Sequence, residues 1–351
     1  MKDLLEILAC PVSGQPLHLT GGADEGILTT PDGAHVYPVI GGIPRMLPPD
    51  LLAPFLRTAF PDFVKRWPQI APGLEGVPDP EPEVLDTLTA YSHQHVELAD
   101  GEKLEDDWRA TWDRFQPGLP PTAFARQVVL EVGCGDGRHA WVVAEHARLM
   151  VGLDLSRGVE LAARRDARPN QRFVQGDLRR PPFRPGAFDA LYSNGVLHHT
   201  PHPKASFCAV VPLVRPGGLV SVWVYGLDDM RWSYRVSHLT WLRPLTNRLP
   251  RPAQMAVAAG LTAGVEAALW TPTRALRAVG LRGLAQRLPY HDAAGRDWRY
   301  KLRRMFDRIN PPITHYISQA ELRDWFVGFD EVDVINADGQ GWTGRGRRPA
   351  A

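Results

Sequence analysis

The stretch VVLEVGCGDGRHA, residues 128–140, ends an apolar run on Glu131 and Val132 and then sets Gly133, Gly135 and Gly137 at alternate positions. Glycine at such a place lets the backbone turn sharply and lets a ligand lie against main-chain amides. Alone the pattern is weak, since ordinary turns share it and nicotinamide dehydrogenases carry the related G-x-G-x-x-G/A. Acids at later run ends add to it. Asp154 closes LMVGLDL about one β-α unit on, where a carboxylate can accept both hydroxyls of a ribose. Asp177 closes RFVQGD, placed to reach an adenine amino group, and Asn194 follows the fourth run in FDALYSNGVLHH. LVRPGGLVSVWV supplies a tight turn into a fifth. Polar positions at four successive strand ends define one crevice at the carboxyl edge of a sheet, where open α/β folds bind ligands.

These residues need a frame to hold them in register. From residue 126 to 226, runs of strand length alternate with helix-length segments, which predicts an α/β core: a parallel sheet with helices on both faces. Residues 1–48 read as a small β module, with GILTT and HVYPVI between Gly and Pro turns. Residues 49–125 read as linker and N-terminal helical cap: WPQIAPGLEGVPDPEPE carries five prolines that block regular structure, and 84–116 look helical with an acidic face. Residues 227–312 break the rhythm as a helical insertion, with Val257, Leu261, Val265 and Leu269 forming a stripe at spacing four. Residues 313–351 return to the core through a helix opened by Ser318, with Glu321 completing a capping box, and then a strand.

With 351 residues, 44% of them hydrophobic, the chain can bury a sizeable core. Its three cysteines, Cys10, Cys134 and Cys208, are too few and scattered for a disulfide framework, and MKDLLEILACPV lacks the marks of an export peptide. Both observations predict a cytoplasmic protein. The formal net charge of +1 predicts no global attraction to nucleic acid or membrane. Its distribution is uneven: residues 75–107 set eleven acids against Lys103, while 231–304 set fourteen Arg and Lys against Glu266, Asp292 and Asp297. Two mutually attracting solvated surfaces and a partner-binding patch explain this equally well.

With E-V-G-C-G-x-G and G-V-L-H-H in this order, residues 126–226 resemble the class I S-adenosylmethionine-dependent methyltransferases, in particular their type 11-like small-molecule group; residues 313–340 resemble them loosely. The resemblance implies a Rossmann-like seven-stranded sheet with the last strand antiparallel. It implies S-adenosyl-L-methionine as cofactor, S-adenosyl-L-homocysteine as product, and no metal. Carried over, Glu131, Gly133, Cys134, Gly135 and Gly137 hold the methionine part, and Asp154 the ribose with Leu155 beside it. Asp177 and Leu178 hold the adenine, and Asn194 and Gly195 border the sulfonium. The alternative is a nucleotide-binding type of fold without a ligand.

Methyl transfer displaces a group at a carbon already activated by positive sulfur, so alignment is the main task, worth about 7–11 kcal/mol. A hydroxyl nucleophile gains a further ~10²–10⁴ in rate from a base. His199, where the family commonly has histidine, and His198 are the candidates; the alternative is that His199 caps a helix or braces the loop. Family lids suggest Tyr91 and His95 from TAYSHQHVE. The closing segments NPPITHYISQAELRDWF and GQGWTGRGRRP suggest His315, Tyr316, Trp342 and Arg345 on the substrate side, against plain packing or a solvated tail. The insertion mixes Trp232, Trp241, Trp270 and Trp298 with arginine. That fits a lid over an anionic or lipid-linked substrate, an interfacial membrane contact or, least well, RNA.

The front module resembles the zinc-ribbon activator subunits of tRNA and translation-factor methyltransferases through LLEILACPVSGQPL and YPVIGGIPRML. Those proteins hold metal with four cysteines; here Cys10 stands alone, and Ser13, Thr30 and Gly33 fill the other places. One thiol cannot close a tetrahedral zinc site, so the module is expected to be metal-free and to serve by packing. The leading expectation is O-methylation of a small molecule, whether sugar, lipid-linked compound or secondary metabolite. Nucleic acid is not expected as a partner, and 227–312 is offered as a peripheral membrane or lipid-linked contact. The alternatives are a tRNA or protein methyltransferase with its activator in one chain, against which stands SNGVLHH in place of an N-P-P-Y-type motif, and a SAM-binding protein without catalysis.

Overall fold

The computed structural model describes residues 1–96, 105–165, 168–227, 240–336 and 340–350, so Trp232 lies outside the described residues. Its strands are β1 (His18–Gly21), β2 (Glu25–Thr29), β3 (Val36–Ile40), β4 (Ile43–Met46), β5 (Val128–Val132), β6 (Leu149–Asp154), β7 (Gln171–Gly176), β8 (Phe188–Asn194), β9 (Val214–Tyr225), β10 (Asp330–Asn336) and β11 (Gly341–Arg347). All five residues of β5 are buried, as a strand covered on both faces requires, and it lies between β6 and β8 inside the order β1-β2-β3-β4-β7-β6-β5-β8-β9-β11-β10. From β7 to β9 neighbours pair in parallel, and β11 runs antiparallel to both β9 and β10. Strands β5–β11 are the Rossmann-like methyltransferase sheet. Its carboxyl edge gathers the ends of β5, β6, β7 and β8.

Beyond seven strands, the sheet continues into the module. Arg45 and Met46 of β4 pair in parallel with Gln175 and Gly176 of β7, and all four residues of β4 are buried. The open edge that β7 would otherwise present is thereby covered. A further departure concerns the proline-rich stretch. Pro68–Leu74 forms a 3-10 turn, in which proline is tolerated, and buries Ile70, while the Trp67 Nε1 donates to Glu25 Oε1 at 3.1 Å.

Helix α1 (Lys2–Leu5) precedes the module strands, α2 (Pro49–Ala59) and α3 (Pro61–Arg66) follow them, and the acidic stretch forms α4 (Pro82–Val96) and α5 (Glu105–Phe115). Between core strands lie α6 (Arg138–Val143), α7 (Gly158–Arg164) and α8 (Pro203–Val210). Two compact units result: Met1–Ser92 with Leu104–Asp229 and Ile313–Ala351, and His93–Lys103 with Met230–Pro312.

The second unit contains α9 (Arg243–Thr246), α10 (Arg251–Val265), α11 (Thr271–Ala278), α12 (Arg282–Ala285) and α13 (Trp298–Ile309). The buried line of α10 is Gln254, Ala258 and Thr262, with Val257 and Leu261 half-buried beside it, so the expected stripe is one residue off. Small residues at the contact let Ala258 pack with Phe306 and Ile309 of α13. Its acids are spent internally: Glu266 pairs with Lys301 and Arg274, Asp292 with Arg304, and Asp307 accepts from Gln94. Among the described residues no helix is long and apolar enough to cross a membrane. In the first unit, Ser318 caps α14 (Gln319–Trp325) by accepting from the Glu321 amide at 3.1 Å, as its sequence predicts.

Candidate functional site

Gly133 leaves β5 at φ 77°, and its amide donates to Leu153 O at 2.7 Å. A Cβ there would stand 2.2 Å from Val196 Cγ2, and one at Gly137, φ 79°, would stand 2.7 Å from Ala162 Cβ. Packing against the neighbouring segments thus requires these two glycines whether or not a ligand is bound. The Gly135 amide donates to Asp154 Oδ2 at 2.7 Å, while the Ser156 amide and hydroxyl donate to Oδ1 at 2.8 and 2.6 Å. The loop after β5 and the loop after β6 are therefore tied through one carboxylate. Leu155 is half-buried, and its carbonyl accepts from Gln175 Nε2 at 3.0 Å.

Asp177 is buried and accepts from the Arg179 amide and guanidinium, and Leu178 is half-buried next to it. Asn194 and Gly195 are half-buried, and Asn194 Oδ1 accepts from Gln116 Nε2 at 2.7 Å. Gln116 in turn accepts from the Ser221 hydroxyl at 2.6 Å, and the ring of Phe115 stacks on Trp223 at 4.1 Å.

At the end of β5, Glu131 is 1% exposed, and Oε2 has no hydrogen-bond partner among the described residues. Burial raises its carboxyl well above the usual carboxylate range, against the opposing pull of Tyr192 and Arg138. His139 Nδ1 lies 3.7 Å from Glu131 Oε1 and 3.3 Å from Asn194 Nδ2. Burial, helped by Arg138, brings His139 down to about 3, so its ring is neutral, and Nε2 also lacks a hydrogen-bond partner. Burial likewise raises the Cys134 thiol, which keeps it protonated. Two enclosed polar atoms without partners at one strand edge are a place for polar groups of a ligand. Sequence reading missed His139 and Gln116; the only available signal was that His139 falls within the glycine-bearing stretch.

Beside this edge stands an aromatic wall. The His199 ring is 5.9 Å from Tyr91 and 5.6 Å from Tyr225, and Tyr225 stacks on Tyr316 at 6.0 Å and 18°. His199 Nδ1 is 2.7 Å from Ile313 O, a carbonyl that can only accept, so Nδ1 carries the hydrogen and Nε2 is the nitrogen able to take a proton. His198 is fully buried against Tyr225, ring centroids 4.1 Å apart, and its carbonyl accepts from the His315 amide at 2.8 Å.

His95 belongs to the second unit, where Arg303 lies 3.2 Å from its Nδ1. Trp342 is buried in the main core opposite Val224, and Arg345, opposite Ser221, donates to Pro117 O at 3.1 Å.

In the module, the four places of a zinc-ribbon ligand set are bonded differently. Cys10 Sγ lies 3.2 Å from the Tyr37 hydroxyl and accepts from the Ser13 amide at 3.4 Å. The Thr30 hydroxyl donates to Asp32 Oδ1 at 2.6 Å and accepts from the His35 amide at 3.1 Å, while the Gly33 amide donates to Thr30 O. Among the described residues no group of three or more His, Cys, Asp or Glu could hold a metal ion. This donor set does not fit zinc.

Residues 130–222 match the family model described as a methyltransferase domain, and residues 2–42 match that of Trm112p-like proteins. The tRNA U34 carboxymethyltransferase of Pseudoalteromonas atlantica is 31% identical over 125 residues, 34% of this chain and 38% of that one. The enzyme of the same name from Vibrio cholerae is 30% identical over 172 residues, 39% of this chain and 51% of its own. The chain therefore spans about half or less of the length of these relatives. Among solved structures, a complex of the Haloferax volcanii Trm112 activator with a methyltransferase is similar at 13% identity and TM-score 0.42, over 74% of this chain and 98% of that one.

The relatives overturn the leading expectations of small-molecule O-methylation, of no nucleic-acid partner and of a lipid or membrane contact at 227–312, and favour the tRNA alternative, because the proteins similar in sequence carry the names of tRNA-modifying enzymes. SNGVLHH in place of an N-P-P-Y-type motif misled here, as did a net charge that averages over an acidic stretch at 75–107 and a basic one at 231–304. The chain carries a methyltransferase domain at residues 130–222, preceded by a Trm112p-like module at residues 2–42.

Proposed function

We propose that this chain is an S-adenosylmethionine-dependent methyltransferase acting on tRNA, with its activator-like module in the same polypeptide. The observation that carries the reading is identity of about 30% to tRNA U34 carboxymethyltransferases in a chain that also has a Trm112p-like module. A cytoplasmic location accompanies that acceptor.

The cofactor brings a carbon activated by a sulfonium, and transfer to a nucleophile leaves S-adenosylhomocysteine. Glu131 and the turn of Gly133, Cys134, Gly135 and Gly137 serve the methionine end. Asp154 with Leu155 serves the ribose, Asp177 with Leu178 the adenine, and Asn194 with Gly195 borders the sulfonium. The unpartnered Oε2 of Glu131 suits an ammonium group, whose arrival draws off the carboxyl's proton. His199, oriented by Ile313 O, takes the proton of the attacking group at Nε2. Tyr91 and Tyr316 offer rings on which an unstacked base can rest, a contact worth about 1–3 kcal/mol per base.

The second unit supplies charge for a polyanion. Arg248, Arg282 and Arg287 are exposed, and their guanidinium groups make no hydrogen bond or ion pair among the described residues.

The test is label transfer from methyl-tritiated S-adenosylmethionine to unmodified tRNA, with the product digested to nucleosides. Label in one nucleoside supports the reading. Cofactor binding by titration without any transfer to tRNA would retire the acceptor, and absence of cofactor binding would retire the enzyme. Replacing Arg248, Arg282 and Arg287 with alanine should weaken tRNA binding and flatten its salt dependence.

A further inference from the structure

Arg45 is 2% exposed, and the chemistry above leaves it without a task. It lies on β4, opposite Gln175 of β7, where the module joins the catalytic sheet. Its guanidinium sits by the rings of Phe55 and Phe60, 5.7 and 5.4 Å from their centroids. Nη1 donates to Gln175 Oε1 at 2.9 Å and lies 3.2 Å from Glu160 Oε1, and Nη2 donates to Ile40 O at 3.3 Å. Apolar residues of similar size often hold such a junction as well as a buried ion pair does, so adhesion alone does not explain an arginine here.

Two of these partners, Gln175 and Glu160, lead to the loop after β6. Gln175 Nε2 donates to Leu155 O at 3.0 Å. Glu160 holds the Arg157 guanidinium by two bonds of 3.0 and 2.8 Å, and the Arg157 amide donates to Ser92 Oγ at 3.0 Å. Leu155 and Arg157 flank Ser156, whose amide and hydroxyl donate to Asp154. A side-chain amide has one acceptor end and one donor end. Arg45 can only donate, so it takes the oxygen of Gln175 and obliges the nitrogen to face Leu155.

The geometry points to Arg45 as a positioning residue: from the module it fixes, through Gln175 and Glu160, the loop that carries Asp154, and so sets how tightly the cofactor's ribose is held. This rests on the reading of Asp154 as the ribose-binding carboxylate. It gives the fused module a task in the cofactor site that needs no metal.

The experiment titrates S-adenosylhomocysteine into the full chain and its variants and records thermal unfolding without ligand. Arg45→Met keeps an unbranched stem between the rings and should weaken binding about tenfold, a typical size for an indirect coupling. Arg45→Lys, which keeps a donor for Gln175 Oε1, should restore most of that loss. Gln175→Met should cost about as much as Arg45→Met, and the double variant little more than either, since both break one relay. Binding of parental strength in Arg45→Met and Gln175→Met, whatever their unfolding temperatures, would overturn the proposal. If Arg45→Met does not fold, Gln175→Met alone decides. Should the parent bind and Asp154→Ala bind equally well, the site reading fails first, and the relay with it.

Discussion

The corner of the module around Cys10 and the edge of the sheet at Glu131 both read as sites in the sequence, yet they treat their polar atoms oppositely. Around Cys10 the chain satisfies itself: the thiol meets Tyr37, and Thr30 bridges Asp32 and the His35 amide. At the sheet edge, Glu131 Oε2 and His139 Nε2 are enclosed with no hydrogen-bond partner among the described residues. Burying such atoms costs about 1–3 kcal/mol each, which a fold bears where something else completes the bonding. A motif tells where a ligand belongs in a family. The state of the polar atoms tells whether the place is still kept for one.

The sharpest way to break this contrast is to injure both places and measure cofactor affinity. Asp154→Ala removes the acceptor of Gly135 and Ser156 along with the proposed ribose contact. It should lower affinity for S-adenosylmethionine about 100-fold by titration calorimetry, as the loss of charged hydrogen bonds implies. Cys10→Ser should leave affinity within a factor of about two, a difference too small for any lost charged hydrogen bond. Equal losses would mean that the two regions do not differ as described.

A second contrast lies in pH. Glu131 has a raised pKa in the fold, so above its ordinary value near 4.5 the unfolded chain has lost a proton that the folded chain keeps, and stability falls as pH rises. His139 is brought down to about 3 from 6.5; between those values the unfolded chain holds the extra proton, and stability falls as pH falls. From about 4.5 to 6.5 the two slopes, each up to ~1.4 kcal/mol per pH unit, oppose one another. The pair should therefore give the free protein a plateau there, with decline on both sides. Denaturant unfolding at pH 5.5 and 8 should show Glu131→Gln losing less stability at the alkaline end than the parent; an identical loss would exclude Glu131 as its source.

What the sequence made legible follows the same division. Strand ends were readable because a buried parallel strand is a continuous apolar run and its end is marked by glycine or an acid, as at Val132, Asp154 and Asp177. The Ser318 cap was readable because its hydrogen bond spans three residues. The pairing of Arg45 with Gln175 was not, since it joins positions 130 apart and no local pattern encodes it. Gln116 and His139 were not, because a single polar residue has no periodicity. The α10 stripe slipped by one residue because Ala258 and Thr262 are small, and smallness rather than hydrophobicity let α13 approach. The acceptor was misread because SNGVLHH, standing where an N-P-P-Y-type motif was sought, was weighed against the tRNA reading, although a strand-end motif does not encode the acceptor.

The smallest effect is the one that would most directly reopen the module. A zinc ribbon is held by its metal, so chelation unfolds it. Here the Thr30 hydroxyl performs the local joining, pulling Asp32 from one side and the His35 amide from the other. EDTA should therefore leave the unfolding temperature unchanged, and purified protein should carry no stoichiometric zinc. Thr30→Ala should cost about 1–3 kcal/mol, since it takes the acceptor from the His35 amide, and lower the unfolding temperature by several degrees. The same change should act on Asp32, whose carboxyl is held down to about 2 by Thr30 first, then by the Ala34 amide and Gln15. Without the hydroxyl its pKa should move up, which carboxyl-carbon NMR can follow. An EDTA-sensitive unfolding temperature with an unmoved Asp32 would show that a metal, and not this hydrogen bond, holds the corner.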